Sequence, residues 1–337
     1  MKVYGRTGGR IVHRCGLVFS PSAHPMKRLV LLLALAACAP AAPPRTSPLP
    51  VASPRLAGLG AGLRSVLDSL PGDTLEVSVA VRDLATGDSL LIDAHRPMHA
   101  ASTMKVPVML QLFRMADAGT LSLDDSVPVR NEFRSIADGS AYALSPADDS
   151  DQEIYRLVGR RLTVRELIER MITRSSNLAT NTLIALADPV RIAATLGELG
   201  ASETRVLRGV EDNPAFRAGM SNTTTAYGMM RVLEGIASGR AASERATGEM
   251  IAILERQEFR EMIPAGLPPG VRVANKTGWI TGIDHDAAIV LPAGRAPYVL
   301  VVLTRRFQDR ELARRVASEI SRRTYAAVAG GTPRPNT

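Results

Sequence analysis

The chain has 337 residues, 45% of them hydrophobic and 22% charged, which excludes a wholly disordered chain and suffices for one large core or two smaller ones. The formal charge of +8 invites a nucleic-acid partner, but Lys2, Arg6, Arg10, Arg14, Lys27 and Arg28 all fall in residues 1–37, where there is no acid; without those six the balance is +2. No basic patch is interleaved with aromatics, so nucleic acid is excluded as a partner. The two cysteines, Cys15 and Cys38, leave no internal disulfide and no thiolate metal site beyond residue 38.

Residues 26–38 combine a short basic start, an apolar run too short to span a bilayer, and small residues before Cys38. The segment reads as a lipoprotein-type export signal with Leu35-Ala36-Ala37-Cys38 as its lipobox, and an ordinary signal peptide cut slightly later is the alternative. Met26 is an alternative start that would leave residues 1–25 untranslated. The expectation is an exported, periplasmic protein held to the membrane by a lipid on Cys38, with residues 1–37 as leader and 38–54, rich in Pro, Ala and Ser, as tether.

The folded domain is expected over 55–330. Leu56–Leu70 has helical spacing and stops at Pro71-Gly72. Residues 77–93 alternate as two strands around Ala85-Thr86-Gly87-Asp88, a hairpin. An apolar helix begins within 99–114, and residues 130–155, acidic and aperiodic, read as an ordered surface insertion or lid. Thr163 and Glu166 open a strongly amphipathic helix with a capping box. A polar turn, Ser175-Ser176-Asn177, leads into another. Further helices are expected over 190–200, 223–236 and 243–256, then strands over 271–279, 287–291 and 298–304, and a closing helix over 309–328. Strands from both ends must share one sheet, antiparallel given the hairpin connections. The fold class is therefore α+β with two lobes: an α/β lobe from about 55–101 and 265–330, and a mainly helical lobe from about 102–264. The cleft between them is the natural site.

Lysine usage marks the chemistry. The chain holds only Lys2, Lys27, Lys105 and Lys276, two of them in the leader. Ser102 stands one helical turn before Lys105, so an amine and a hydroxyl share a face near a helix N-terminus. A buried lysine can act as a base, which arginine cannot, and the helix N-terminus offers N–H groups to an oxyanion. Ser102 is the candidate nucleophile. Taken alone, Ser102 also reads as an N-cap before a solvated lysine, and Ser175-Ser176-Asn177 as a plain helix-linking turn.

Three pieces occur in order: Ser102-x-x-Lys105, Ser175-x-Asn177 and Lys276-Thr277-Gly278. With them, the region from about Leu56 to Val328 resembles a class A serine β-lactamase. The resemblance implies that Ser102 forms an acyl-enzyme with Lys105 in the activating network, and that the backbone N–H groups of Ser102 and Trp279 hold the oxyanion. It implies that Ser175 passes a proton to the leaving nitrogen and Asn177 binds the substrate's side-chain amide. Lys276 and Thr277 would hold its carboxylate, with Gly278 completing the substrate-binding strand. Glu211 falls where a glutamate would activate the deacylating water. The neighbourhood departs from the family: Asp212 replaces a proline, Ala215 an asparagine and Ser176 an aspartate. Asp212 as the base, or Asn213 as the water's holder, stay open.

The expected activity is β-lactam hydrolysis conferring antibiotic resistance, by a monomer with no cofactor and no metal. The alternatives are a D,D-peptidase or esterase using the same serine, and a binding module or sensor that acylates and stalls. A metal hydrolase built on His95, His99 and Asp284-His285-Asp286 is disfavoured, because Pro97 breaks the helix that pairing His95 with His99 requires.

Overall fold

Five strands assemble from the two ends of the chain: β1 (Glu76–Asp83), β2 (Ser89–Ile92), β3 (Arg272–Ile280), β4 (Ile283–Leu291) and β5 (Tyr298–Arg305). The structure is a computed structural model that describes residues 54–70, 75–307 and 309–330. The leader and tether expectations, Cys38 included, lie outside those residues. The order across the sheet is β2-β1-β5-β4-β3 with every pairing antiparallel. β5 is central because its run Val299–Leu303 is buried on both faces, whereas β3 is an edge.

Period-two alternation divides the core at the sheet. Val77, Val79, Val81, Leu300 and Val302 face α1 (Pro54–Asp68) and the closing helix, through residues such as Leu63, Val316 and Ile320. Ala80, Val299, Val301, Leu303 and Ile289 face the helical lobe. That lobe contains α2 (Lys105–Asp117), α3 (Val164–Thr173), α4 (Asn177–Ala187), α5 (Pro189–Glu198), the short α6 (Asn213–Arg217), α7 (Ala226–Ala237) and α8 (Glu244–Glu255), and α9 (Arg310–Ala329) closes the chain. α2 is buried almost all round, from Lys105 through Phe113, as a helix must be when neighbours surround it. The α+β architecture with two lobes is the one expected.

The helix starts follow their caps. Thr163 and Glu166 form the reciprocal capping box of α3, and Ser176, Thr225, Ser243 and Asp309 each accept a first-turn N–H. One strand differs from expectation: β4 begins at Ile283, not Ala287. Its first half, Asp284-His285-Asp286, is polar yet buried, because each side chain meets a partner far along the chain. Asp284 pairs with Arg310 (2.6 Å), a ring nitrogen of His285 bonds the His99 carbonyl (3.0 Å), and Asp286 accepts from the Ile263 N–H (3.0 Å).

Candidate active site

The edge strand β3 abuts a 3-10 turn, Ala101–Met104, that delivers Ser102 to the start of α2. Ala101 adopts a left-handed φ of +44°. The turn is held by Ala101 N–H donating to His99 Nδ1 (3.0 Å), Thr103 Oγ1 donating to the Ala100 carbonyl (2.6 Å), and Ala100 N–H donating to the Asn222 carbonyl (2.9 Å). A Cβ on Gly278 would lie 2.7 Å from the Ser102 nitrogen and 2.8 Å from that of Thr103. Only glycine lets the strand approach the turn carrying Ser102 so closely.

Lys105 is fully buried. Its Nζ donates to the Ser175 carbonyl (2.6 Å), Ser175 Oγ (3.1 Å) and Asn177 Oδ1 (3.0 Å). All of its hydrogen bonds go to Ser175 and to Asn177, the first residue of α4, none to Ser102. Ser175 has a φ of +57°, a costly conformation for a residue with a side chain. In that conformation its carbonyl and hydroxyl both accept from one amine. Lys276, also fully buried, reaches the same hydroxyl from β3 at 3.1 Å and donates to the Thr277 carbonyl at 2.9 Å. With two amines on its lone pairs, Ser175 Oγ–H is left to point into the cleft.

Burial drives the electrostatics. It pushes the Lys105 amine down to about 7, against the opposing pull of Asp149. It pushes Lys276 down as well, with the charge of Lys105 adding to the shift and Asp286 opposing it. A lysine near 7 is a competent base at neutral pH.

Asp149, fixing the turn from beneath, belongs to the segment read as an insertion. It is buried, and its Oδ2 accepts from the N–H groups of Asn177 (2.9 Å) and Leu178 (3.0 Å) and from the Tyr155 hydroxyl (3.1 Å). These are first-turn N–H groups of α4, where a carboxylate is favoured. Asp151, also buried, accepts both bonds from Arg170 Nη1, at 3.0 and 2.8 Å. Along Asp148-Asp149-Ser150-Asp151, Asp149 and Asp151 turn inward while Asp148 and Ser150 stay exposed. All four residues are polar, so the inward turn of Asp149 and Asp151 shows only in the fold and sequence reasoning passed over it.

Glu211 sits on the facing loop with a φ of +61°. Its Oε2 accepts from the Ser145 N–H at 3.4 Å, and its Oε1 is buried with no hydrogen-bond partner. Burial raises its pKa, the Ser145 N–H and the Asn177 side chain oppose this, and Asp148 and Asp149 raise it further. Asp212 is turned away: it is fully buried, with Oδ1 accepting from the Ala215 N–H (3.1 Å) and Oδ2 from the Ile136 N–H (3.0 Å). It caps α6 and ties the loop to the 130–155 segment, whereas Glu211 lines the cleft. Asn181 adds a second tie, accepting from the Val210 N–H (2.6 Å) and donating to its carbonyl (3.0 Å).

These pieces surround one cleft of about 750 Å³, lined by Ser102, Ser175, Asn177, Glu211, Asn213 and Trp279 among others. Lys105 and Lys276 reach its floor through Ser175. Thr277 is buried on β3 between Lys276 and Gly278, and Trp279, half exposed, stands at the rim with the Arg310 guanidinium 4.5 Å over its ring. Each of the histidines weighed as metal ligands is engaged within the protein, and His285 bonds the His99 carbonyl at 3.0 Å. His95 pairs with Glu203 at 2.9 Å, His99 accepts from the Ala101 N–H, and His285 is buried in the sheet. His99 and Arg208 also line the cleft, and sequence reasoning gave neither a role there.

The family model described as the beta-lactamase enzyme family matches residues 63–328. The β-lactamase of Streptomyces albus G is 32% identical over 152 residues, 44% of this chain and 48% of that enzyme, so the match spans about half its length. The β-lactamase CTX-M-8 of Citrobacter amalonaticus is 26% identical over 229 residues, covering 67% and 74%. Among solved structures, an ancestral (GNCA) class A β-lactamase is similar with a TM-score of 0.67 and 28% identity, covering 81% of this chain and 99% of that one.

Proposed function

The chain belongs to the β-lactamase enzyme family, and from that premise we propose that it is a serine hydrolase that opens the β-lactam amide through an acyl-enzyme on Ser102. The observation that carries the reading is the convergence of two buried lysines on Ser175 Oγ, each at 3.1 Å, in the cleft that Ser102 lines. Neutral Lys105 takes the Ser102 proton as Oγ bonds to the lactam carbonyl carbon. The oxyanion is held by the Ser102 and Trp279 N–H groups. The C–N bond then breaks, and the departing nitrogen takes the Ser175 hydroxyl proton, replaced from the lysine pair. Asn177 positions the acyl amide. Lys276 and Thr277 meet the substrate's carboxylate, a match of charge that the buried amine needs.

Deacylation falls to Glu211, whose unpartnered Oε1 takes a proton from the attacking water; the water's oxygen bonds to the ester carbon, the ester C–O bond to Ser102 breaks, and the proton held on Glu211 is returned to Ser102 Oγ. This reading includes resistance to β-lactam antibiotics, export through residues 1–37 and anchoring at Cys38. Catalytic turnover of a chromogenic cephalosporin that disappears in Ser102→Ala supports it. Equal turnover in that variant sinks it.

A further inference from the structure

The cleft contains a cation that the acylation chemistry does not use. Arg208 lines it yet is only 7% exposed. Its Nη1 donates to the neighbouring Gly209 carbonyl at 2.9 Å, while its Nε is buried with no hydrogen-bond partner. Among the described residues no carboxylate forms an ion pair with it. Asp212 lies near enough to act on its charge, but both Asp212 oxygens already accept backbone N–H groups. The residue that fixes the Arg208 backbone is neutral. Asn222 Oδ1 accepts from the N–H groups of Leu207 (2.8 Å) and Arg208 (3.1 Å), and its Nδ2 donates to the Arg208 carbonyl (2.9 Å).

A buried guanidinium cannot shed its proton to escape the cost of burial, so it seeks an anion. Its surroundings suit one. The guanidinium lies over the Phe216 ring, 5.4 Å from the centroid, and His99 meets the same ring edge-on at 6.1 Å. His99 Nδ1 accepts from the Ala101 N–H, so its proton sits on Nε2, a neutral donor beside the cation. Lys276, the cation assigned above to the lactam's own carboxylate, comes from β3 instead; Arg208 comes from the loop that carries Glu211.

We propose that Arg208 and His99 form a second anion site in the cleft, which receives a carboxylate carried on the acyl side chain of the substrate. The proposal rests on the β-lactam reading and narrows its substrate class to dianionic lactams.

The test compares benzylpenicillin with its α-carboxy derivative, which differ by one carboxylate. The wild-type kcat/KM is expected to favour the carboxylated compound by about 10-fold or more, the worth of a charge-assisted hydrogen bond. The ratio falls to near one in Arg208→Met and is partly kept in Arg208→Lys, with KM carrying the change. A wild-type ratio of one or less, or a ratio unchanged in Arg208→Met, overturns the site. Calorimetric binding to full-length Ser102→Ala removes dependence on turnover and on the Arg208 variants folding: a tighter Kd for the carboxylated compound supports the site, and equal Kd values overturn it. If neither penicillin is hydrolysed while that preference in binding persists, the hydrolase reading fails and the anion site stands.

Discussion

Gly278 and Ser102 touch through their backbones: a single methyl on Gly278 would stand 2.7 Å from the Ser102 nitrogen. The neighbour is main chain, so it cannot swing aside, and either the strand or the turn carrying Ser102 must shift. Gly278→Ala should slow acylation by about 100-fold, the scale of a misplacement near 1 Å. The loss of stability should be about 1–3 kcal/mol, as for overpacking. Single-turnover acylation beside a thermal melt checks this; a variant that acylates at the wild-type rate would show that the contact does not position Ser102.

In the proposed mechanism Lys105 gives acylation its pH dependence. With its amine lowered to about 7 by burial, the neutral base is lost as pH falls below that value. The acylation rate should therefore rise through about pH 7 and level off above it. Lys105→Arg, which stays charged, should lose about 100- to 10,000-fold. A rate flat from pH 5 to 9 would assign the base elsewhere.

The same burial acts on stability. The folded amine titrates near 7 and the unfolded one near the model-peptide value of 10.5, so between them the unfolded chain binds more protons and stability rises with pH. Below about 7 the cost of the buried charge is present in full. Denaturant unfolding from pH 7 to 10 should show this rise, and Lys105→Met should flatten it. Lys276, shifted in the same direction, keeps the slope from vanishing. An equal slope in both proteins would contradict a depressed Lys105.

Much of this was legible in sequence and some was not, for identifiable reasons. Local signals survived folding: the Thr163–Glu166 box starts α3, and Ala85-Thr86-Gly87-Asp88 turns the first hairpin. Lysine scarcity pointed to Lys105 and Lys276, and the structure brings them to one hydroxyl. The start of β4 was hidden because Asp284, His285 and Asp286 are satisfied by Arg310, His99 and Ile263, partners that no local window contains. Asp149 was hidden in an acidic run that reads as solvated. The isolation of Arg208 shows only in three dimensions, where a neutral Asn222 stands beside it.

Asp149 offers the sharpest test of the segment 130–155. Asp149→Ala leaves the N–H groups of Asn177 and Leu178 without their acceptor, and each buried N–H left unpaired costs about 1–3 kcal/mol. The variant should be destabilised on that scale and should lose acylation rate, because Ser175 and Asn177 ride on the same turn. Asp149→Asn, which keeps an acceptor oxygen, should recover part of both. If Asp149→Ala melts like the wild type, the segment is decoration.

Glu211→Gln should separate the two halves of the reaction. Acylation should remain near the wild-type rate while turnover falls by about 100- to 10,000-fold, so that a burst of chromogenic product is followed by a stalled enzyme. Unchanged steady-state turnover would remove Glu211 from the mechanism.

The central claim is a covalent intermediate on Ser102, and mass spectrometry of the protein quenched during turnover of a cephalosporin reads it directly. The account predicts one adduct, on the peptide carrying Ser102, absent in Ser102→Ala and accumulating in Glu211→Gln. Hydrolysis with no adduct in either the wild type or Glu211→Gln, or an adduct on Ser175 instead, would contradict it.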